Sequence, residues 1–292
     1  MKRISVITIS FNQGRFLRQT LDSLIHQSAL PHQLIVVDGG STDESTSILA
    51  DYERWIDVLV VGEDTGPANA LNIGLRRVTG DVVLCVNAGD GLLEGALLRA
   101  RAHLERFDGG HILYGDGIAI DEQDRPVRPF ASTPFSARRY VLGGAVVLHQ
   151  STFYDRETIE SLDGFDERNS WSWDGELLAR ASLAGVHLVR VRDSFGVIRI
   201  HTGAISSQAR SSAAAKATSA RLFVETMGRP PRVLDRVAAR RYYRIEKHIR
   251  NPRYSIRRAM SSAGRVDESE WPWWPPLDEP RELPSALDPT RG

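Results

Sequence analysis

Four apolar runs in the first part of the chain are each followed by polar or acidic residues. The fourth run, residues 82–86, is followed by Asn87 and Asp90. The first three runs end in these residues: Thr8, Ser10 and Asn12; Asp38 and Asp43; Glu63 and Asp64. The carboxyl ends of parallel strands meet at one edge of a sheet, where carboxylates can hold a cation or accept hydrogen bonds from a ligand. We therefore expect a polar ligand site at this edge, with Asp90 at its centre.

Alternating strands and helices would bring these residues together. Strands are predicted at 4–10, 34–37, 58–61 and 82–86, with helices from residue 16, at 44–52 and around Leu71, Leu75 and Val78. Asn12 is the expected N-cap of the first helix. Strand–helix units of this length imply right-handed crossovers and a parallel sheet, so the fold class expected is α/β.

The second half of the chain is less regular and predicts a mixed sheet. Helices are expected at 92–107, 156–162, 174–183 and 209–227, and strands at 111–120, 186–191 and 195–200. Segments 142–148 and 151–154 are apolar or β-prone, and the acidic turn at 121–124 indicates a hairpin.

Composition indicates a globular protein: 41% of the 292 residues are hydrophobic and 25% are charged. Lys and Arg total 37 and so do Asp and Glu, and no base-reading module is visible, so no nucleic-acid partner is expected. The single cysteine, Cys85, lies in an apolar run, which fits a small hydrophobic residue in a reducing cytoplasm. No secretory signal is visible, and no apolar run reaches the roughly 18 residues needed to span a bilayer.

The C-terminal part differs in charge from the rest of the chain. Residues 229–258 hold eleven Arg and Lys but two acidic residues, Asp235 and Glu246, which predicts a basic amphipathic helix. This helix either covers the domain with a solvated face, the slightly favoured interpretation, or docks on anionic lipid as a peripheral membrane contact. From residue 265 the chain is rich in Pro and Trp and is expected to be extended.

Several motifs, in this order and spacing, resemble the family 2 glycosyltransferases. They are VITISFN at 6–12, VVDGGSTD at 36–43, ALNIG at 70–74, GDVVLCVNAGD at 80–90, HQSTF at 149–153, GFDE at 164–167 and WDGEL at 173–177. The resemblance covers residues 4–207 and implies the GT-A fold: a Rossmann-like, mostly parallel sheet flanked by helices, with a mixed-sheet acceptor half. The domains expected are 1–207, with a nucleotide-binding half at 1–90 and an acceptor half at 91–207; a helical, basic extension at 208–264; and a Pro/Trp-rich tail at 265–292.

The resemblance also implies how a nucleotide-sugar donor is bound. Asp38 would accept a hydrogen bond from the base, whose N–H group suits UDP, dTDP or GDP, and Asp64 would hold the base or ribose. Further donor contacts are expected from Thr8, Ser10, Asn12, Asn69 and Asn87. The alternative for Asp38 is a turn residue before two glycines.

In the family, an Asp-rich signature binds a divalent cation, and here it corresponds to residues 87–90. Asp90 is then the expected ligand of Mn²⁺ or Mg²⁺, which would neutralise the diphosphate as it leaves. Gly89 replaces the commoner Asp, so one carboxylate remains and a further ligand is desirable. His201 takes the place of a family histidine; it is either that ligand, a phosphate contact or an ordinary loop residue.

Asp174 matches the catalytic base of the family, which removes the proton of the acceptor hydroxyl. Its alternative is a helix-capping role. Trp173 stands where a Glu is common, and Trp171 and Trp173 are expected to stack on an acceptor sugar. His149 and Gln150 are expected on the acceptor side, with a packed core histidine as the alternative for His149.

The function expected is therefore a metal-dependent inverting glycosyltransferase acting on a glycan or lipid-linked acceptor, in cell-envelope, exopolysaccharide or O-antigen synthesis. The expected location is the cytoplasm, or the inner face of the membrane. The alternative is a non-catalytic nucleotide-sugar binder or scaffold, because the cation motif is reduced. A nucleotidylyltransferase is less well supported, since residues 11–15 offer a single Gly and a single Arg.

Overall fold

The first half of the chain alternates strands with helices. The computed structural model describes residues 1–169, 172–201, 213–232, 234–235, 239 and 243. The elements of the first half are β1 (Ile4–Ser10), α1 (Gly14–Ile25), β2 (Gln33–Asp38), α2 (Ser45–Asp51), β3 (Val58–Val61), α3 (Pro67–Leu75) and β4 (Val82–Cys85). Strand β1 pairs in parallel with β2 and β4, and β2 pairs in parallel with β3. The predicted parallel sheet is confirmed.

The second half extends the same sheet with mixed strand directions. Its elements are β5 (Gly91–Leu92), α4 (Ala96–Leu104), β6 (His111–Ile120), β7 (Pro126–Phe130), α5 (Ala137–Val141), β8 (Thr152–Asp155), α6 (Arg156–Ser161), α7 (Trp173–Leu183), β9 (His187–Arg199) and α8 (Ala213–Met227). The described strands run in the order β3-β2-β1-β4-β8-β6-β9-β5, with β7 paired to β6 as a hairpin. Strand β8 lies antiparallel to both β4 and β6 and so joins the halves.

Helices cover both faces of the sheet, which explains why β1, β2 and β4 are apolar on both sides. One face packs against α1, α2 and α4 through residues such as Leu17, Leu21 and Leu97. The other packs against α3, α6 and α7 through residues such as Leu71 and Leu177. Each fully buried Leu contributes about 1.5–3 kcal/mol. Cys85 is buried, and burial raises the pKa of its thiol, so it acts as a small hydrophobic residue.

Three predicted elements differ from the structure. The two strands predicted at 186–191 and 195–200 belong to one strand, β9. The polar residues between them lie where the pairing of β9 with β6 shifts register, at Asp116. Arg99 donates a hydrogen bond to Asp193 in this polar segment. Helix α4 begins at Ala96, since Leu92 pairs with β9 instead. Segment 142–148 has no described strand, and the β-prone stretch that follows it is strand β8 only from Thr152.

The start of α1 also differs. Asn12 is not the N-cap: it adopts a left-handed conformation with φ of 51°, and its side chain accepts a hydrogen bond from the main chain of Thr42. The helix begins at Gly14, whose N–H donates to Asp43 Oδ2 at 2.9 Å. A carboxylate from the loop after β2 therefore caps α1.

The described C-terminal residues pack on the second half. Helix α8 contacts α5 and α7, and the Arg139 guanidinium lies 4.3 Å from the ring centroid of Tyr243. Three predicted features lie outside the described residues: the domain boundary at 207, most of the basic helix at 229–258, and the tail at 265–292. Within the described ranges, no helix is both long enough and apolar enough to cross a bilayer.

Candidate active site

A cavity of about 480 Å³ lies at the carboxyl ends of β1 and β4. Its first-half wall includes Ser10, Asp64, Asn87 and Asp90, which come from the ends of three strands. Its second-half wall includes Phe130, His149, Gln150, Trp173, Asp174 and His201. The structure thus brings together residues that lie far apart in the sequence, as expected for a site at this edge of the sheet.

Two of the first-half residues present polar atoms to the cavity without a partner in the described part of the chain. These atoms are Ser10 Oγ and Asn87 Oδ1, both buried. Asp64 lines the same wall, and its Oδ1 accepts a hydrogen bond from the N–H of Gly66 at 2.8 Å. Ser10, Asp64 and Asn87 therefore line the cavity together, and their contacts with a nucleotide donor stay predictions.

Asp38 lies beside this wall but is engaged in its own turn. Its Oδ1 accepts hydrogen bonds from the N–H groups of Gly40 and Ser41, at 3.1 and 2.7 Å, and its Oδ2 accepts one from Ser41 Oγ at 2.7 Å. The side chain is buried and does not line the cavity. Asp38 therefore stabilises its own turn, and its hydrogen bond to the base stays a prediction.

Three further predicted donor contacts do not line the cavity. Thr8 is fully buried within β1, two residues deeper than Ser10 on the same face. Asn12 holds the main chain of Thr42. Asn69 Nδ2 donates to Glu167 at 3.0 Å, so this side chain points toward the second half. In the described structure these three side chains do not line the cavity, and their contacts with the donor stay predictions.

Asp90 is buried and held on both carboxylate oxygens. Gln150 donates its side-chain N–H to Oδ2, and the main-chain N–H of Arg199 donates to Oδ1 at 3.0 Å. Burial raises the pKa of Asp90 to about 7, although these hydrogen bonds and the charge of Arg199 oppose the shift. Gln150 therefore positions Asp90, and its Oε1 is buried and unpartnered within the described ranges.

Arg199 is a site residue that the sequence did not reveal. Its side chain is buried and donates to Gly89 O at 3.1 Å and to Gln19, and its Nη1 lies 2.8 Å from Asp124 Oδ1. The guanidinium also lies 4.5 Å from the ring centroid of Phe16. Arg199 thus ties the loop of Asp90 to α1 and to the hairpin turn between β6 and β7.

Asp90 and His201 are the residues that could hold a cation. Both line the cavity, and partial burial lowers the pKa of His201, which favours the neutral imidazole that binds metals. Each Asp90 oxygen keeps a lone pair beside its hydrogen bond. Among the described residues, no three His, Cys, Asp or Glu side chains form a cation cluster. The set fits a cation shared with phosphate oxygens, not a site built by protein ligands alone.

His149 and Trp173 form a buried part of the cavity wall that the second half supplies. Their rings meet edge to face, with centroids 4.3 Å apart and an interplanar angle of 86°. Both ring nitrogens of His149 are buried and unpartnered within the described residues, and burial lowers its pKa to about 3, so the ring is neutral. The indole of Trp173 also packs edge to face on Phe165 and is 6% exposed. The Trp173 indole is therefore not accessible for stacking on a sugar ring. Trp171 lies outside the described residues.

Asp174 lines the cavity from the first turn of α7. The N-cap position is Ser172, so the capping alternative does not hold for Asp174. The carboxylate is half-buried; burial raises its pKa, and hydrogen bonds from the main chain of Asp174 and Gly175 oppose this. The raised pKa makes the Asp174 carboxylate a stronger base than an ordinary aspartate. Glu176 forms an ion pair with Arg180, with 2.8 Å between Oε1 and Nε, and so supports the helix.

Comparisons with known proteins show the family of this chain. The family model of glycosyl transferase family 2 matches residues 5–153, just over half of the chain. An uncharacterized glycosyltransferase of Mycobacterium tuberculosis is 30% identical over 184 residues, 62% of this chain and 69% of that protein. A PGL/p-HBAD biosynthesis glycosyltransferase of Mycobacterium bovis is 29% identical over 168 residues, 56% of this chain and 63% of that protein.

Two solved structures share the fold. S. aureus TarS in complex with UDP-GlcNAc gives a TM-score of 0.60 at 19% identity and covers 92% of this chain and 77% of that chain. The mannosyltransferase PcManGT of Pyrobaculum calidifontis, in complex with GDP-Man and Mn²⁺, gives 0.58 at 18% identity and covers 90% and 74%. The predicted GT-A fold is confirmed, and the chain belongs to glycosyl transferase family 2 and is a glycosyltransferase.

Proposed function

We propose that this glycosyltransferase moves a sugar from a nucleoside diphosphate sugar to a hydroxyl acceptor, with inversion at the anomeric carbon and a divalent cation. The observation that carries the proposal is the cavity shared by Asp90 and Asp174. These carboxylates come from opposite halves of the sheet, which is the arrangement a transferase needs for a leaving group on one side and an acceptor on the other.

The unpartnered polar atoms of the cavity support a ligand rich in hydroxyl groups. Ser10 Oγ, Asn87 Oδ1, Gln150 Oε1 and the His149 ring nitrogens lie buried in its walls, and none has a partner within the described part of the chain. An unsatisfied buried polar group costs about 1–3 kcal/mol. A bound sugar offers both donors and acceptors and would relieve this cost.

The reaction is a single displacement. The acceptor oxygen attacks the anomeric carbon while the bond from that carbon to the diphosphate oxygen breaks. Asp174 takes the proton of the acceptor hydroxyl, and the nucleoside diphosphate leaves with the electron pair of the broken bond. Because one carboxylate serves as base in one displacement, the product has the inverted configuration.

A divalent cation fits the donor side of the cavity. Asp90 and His201 would hold Mn²⁺ or Mg²⁺, which, when bound, neutralises negative charge on the leaving diphosphate. Gln150 and the main chain of Arg199 keep the Asp90 carboxylate oriented for that role. The Mn²⁺ in the PcManGT complex is consistent with this assignment.

The donor and acceptor classes follow from the relatives and the site. TarS and PcManGT were solved with UDP-GlcNAc and GDP-Man, so UDP, dTDP and GDP sugars are the donors to test. The relative named for PGL/p-HBAD biosynthesis supports a glycan or lipid-linked acceptor of the cell envelope. A cytoplasmic location with a peripheral membrane contact through 229–258 remains part of this proposal, and flotation with anionic liposomes tests it.

The decisive experiment compares Asp174→Asn with wild type. Purified protein is incubated with each nucleotide sugar, Mn²⁺ and a panel of hydroxyl acceptors, and nucleoside diphosphate release is followed. We expect Asp174→Asn to lose transfer by at least about a hundredfold, because general base catalysis contributes 10²–10⁴-fold. Binding of UDP with Mn²⁺, measured by calorimetry, should be unchanged. Equal turnover in this variant would remove Asp174 from the role.

A matched control is Glu160→Gln, which removes a carboxylate from the exposed surface of α6. It should retain full transfer. The alternative function, a non-catalytic nucleotide-sugar binder, is motivated by Gly89, which leaves one carboxylate in the cation motif. Tight nucleotide binding without metal dependence, together with no turnover of any donor and acceptor pair, would favour that alternative.

A further inference from the structure

The side chain of Asn72, in α3, forms two hydrogen bonds with the main chain of Phe165. Its Oδ1 accepts a hydrogen bond from the Phe165 N–H, and its Nδ2 donates to the Phe165 carbonyl oxygen, each at 2.9 Å. One side chain thus pairs with both polar groups of a residue 93 positions away. Such a double contact fixes both the position and the orientation of the loop before α7.

A second contact strengthens this one. Glu167 accepts hydrogen bonds from Nδ2 of Asn72 at 2.9 Å and from Nδ2 of Asn69 at 3.0 Å. Gly164 has a φ of 65°, and a Cβ at this position would lie 2.6 Å from Asn72 Oδ1. The loop therefore approaches α3 as closely as a glycine permits.

The loop is in turn connected to Asp174. The Phe165 ring packs edge to face on Trp173, with centroids 5.4 Å apart, and Trp173 is the residue before Asp174. A parallel connection runs through Asn169, whose Oδ1 accepts a hydrogen bond from the N–H of Ser172 at 3.2 Å. Both connections end at the first turn of α7.

The other end of α3 belongs to the donor wall. Gly66, Pro67 and Ala70 at the start of this helix line the cavity, next to Asp64. A helix of nine residues, about two and a half turns, is stiff, so α3 links the wall that faces the nucleotide to the loop before α7. Asn72 is the residue at which this link is made.

We propose that Asn72 is a positioning residue: through Phe165 and Trp173 it holds the carboxylate of Asp174 at the distance and angle that proton removal from the acceptor requires. The inference rests on the proposed role of Asp174 as base. Asn72 does not line the cavity and so does not contact the substrates. Its loss should therefore lower kcat and leave nucleotide binding intact.

The central variant is Asn72→Asp. The new carboxylate still accepts from the Phe165 N–H but cannot donate to the Phe165 carbonyl, and it places a second negative charge against Glu167. Displacement of a catalytic group by about 1 Å can cost 10²-fold in rate. We expect kcat to fall about tenfold to a hundredfold, while the Kd of UDP with Mn²⁺ by calorimetry stays within twofold of the wild-type value.

Rescue separates positioning from general loss of stability. In the double variant Asn72→Asp/Glu167→Gln, the amide introduced at position 167 can donate to the carboxylate introduced at position 72 and still accept from Asn69. The bond between positions 72 and 167 is then restored with donor and acceptor exchanged, while the Phe165 carbonyl still lacks its donor. We therefore expect this double variant to regain part of the lost kcat. Phe165→Leu, which removes the ring contact with Trp173 but leaves Asn72 in place, should lower kcat in the same way.

The control is Val78→Ala, which removes two buried methyl groups just beyond the end of α3 without touching the loop bonds. It should lower Tm and leave kcat unchanged at assay temperature. A folded Asn72→Asp variant with wild-type kcat would overturn the inference, as would equal losses of nucleotide binding and kcat. If Asp174→Asn also retains transfer, the proposed function fails; if Asp174→Asn is inactive, only the role of Asn72 fails.

Discussion

The main-chain N–H of Arg199 donates a hydrogen bond to Asp90 Oδ1 at 3.0 Å, joining residues 109 positions apart. The side chain of the same arginine holds the carbonyl of Gly89, directly before Asp90. The last strand of the second half therefore orients the carboxylate that the first half supplies. This relationship leads to the first two predictions.

Arg199→Met should destabilise the fold by about 3–5 kcal/mol, because it removes the buried guanidinium that pairs with the half-buried Asp124. The free energy of unfolding from urea denaturation measures the change. Arg125→Met is the matched control, since Arg125 is mostly exposed in its pair with Asp121 and should matter far less. Equal losses in the two variants would contradict the structural role given to Arg199.

Gly89→Asp should not improve cation binding, even though it restores the commoner second carboxylate. Gly89 has a φ of 98°, a conformation that costs an L-residue about 1–3 kcal/mol. We expect lower stability by urea denaturation and no tighter Mn²⁺ dependence of UDP binding by calorimetry. Gly89→Ala separates backbone strain from charge, since it should lose the same stability. A gain in Mn²⁺ affinity would show that the loop adapts without strain.

The activity should fall on the acid side at a higher pH than an ordinary aspartate would give. The base Asp174 and the cation ligand Asp90 must both be ionised. Burial raises the pKa of Asp174 and raises that of Asp90 to about 7, so protonation of either carboxylate inactivates the enzyme earlier as pH falls. The midpoint of the acid limb in a plot of kcat/KM against pH measures this effect. It should lie above the ordinary aspartate pKa of about 3.9. His149→Gln should leave the position of the limb unchanged. A limb at or below about 3.9 would argue against a buried base.

The stability of the fold should depend on pH through His149. Its pKa is about 3 in the folded protein, below the value of about 6.5 for an unfolded chain. The unfolded state therefore binds one more proton between these values, and folding is weakened by about 1.4 kcal/mol per pH unit as pH falls through that window.

His149→Gln should reduce the slope of the free energy of unfolding between about pH 6 and about pH 4 by this amount. His32→Gln, at an exposed histidine, is the control and should leave the slope unchanged. Equal slopes in wild type and His149→Gln would mean that the imidazole takes up its proton in the folded protein.

The strand ends were the most predictable part of the site. Asn87 and Asp90 follow an uninterrupted apolar run and Ser10 ends a largely apolar strand, and a parallel sheet brings such residues to one edge. Asp38 obeys the same rule, yet its carboxylate binds its own turn. The sequence Asp-Gly-Gly-Ser carries the signal for that outcome, because a short acidic side chain readily accepts from N–H groups two and three residues later.

Arg199 could not have been found in this way. A single arginine at the end of a strand is usually solvated, and its partners Gln19 and Asp124 are assembled only by the fold. The continuity of β9 was hidden for a similar reason. Its polar middle segment is accommodated by irregular pairing with β6 and by Arg99 of α4, neither of which leaves a local pattern.

The pairing of β8 with β4 has a practical consequence for dissecting the enzyme. Val82, Val83 and Leu84 are matched to residues of β8 on the side away from β1. A fragment that stops at residue 90 would expose this apolar strand edge. Exposed strand edges of this kind pair with other copies of the same chain. Such a fragment should precipitate or oligomerise, so nucleotide recognition has to be studied in the intact polypeptide.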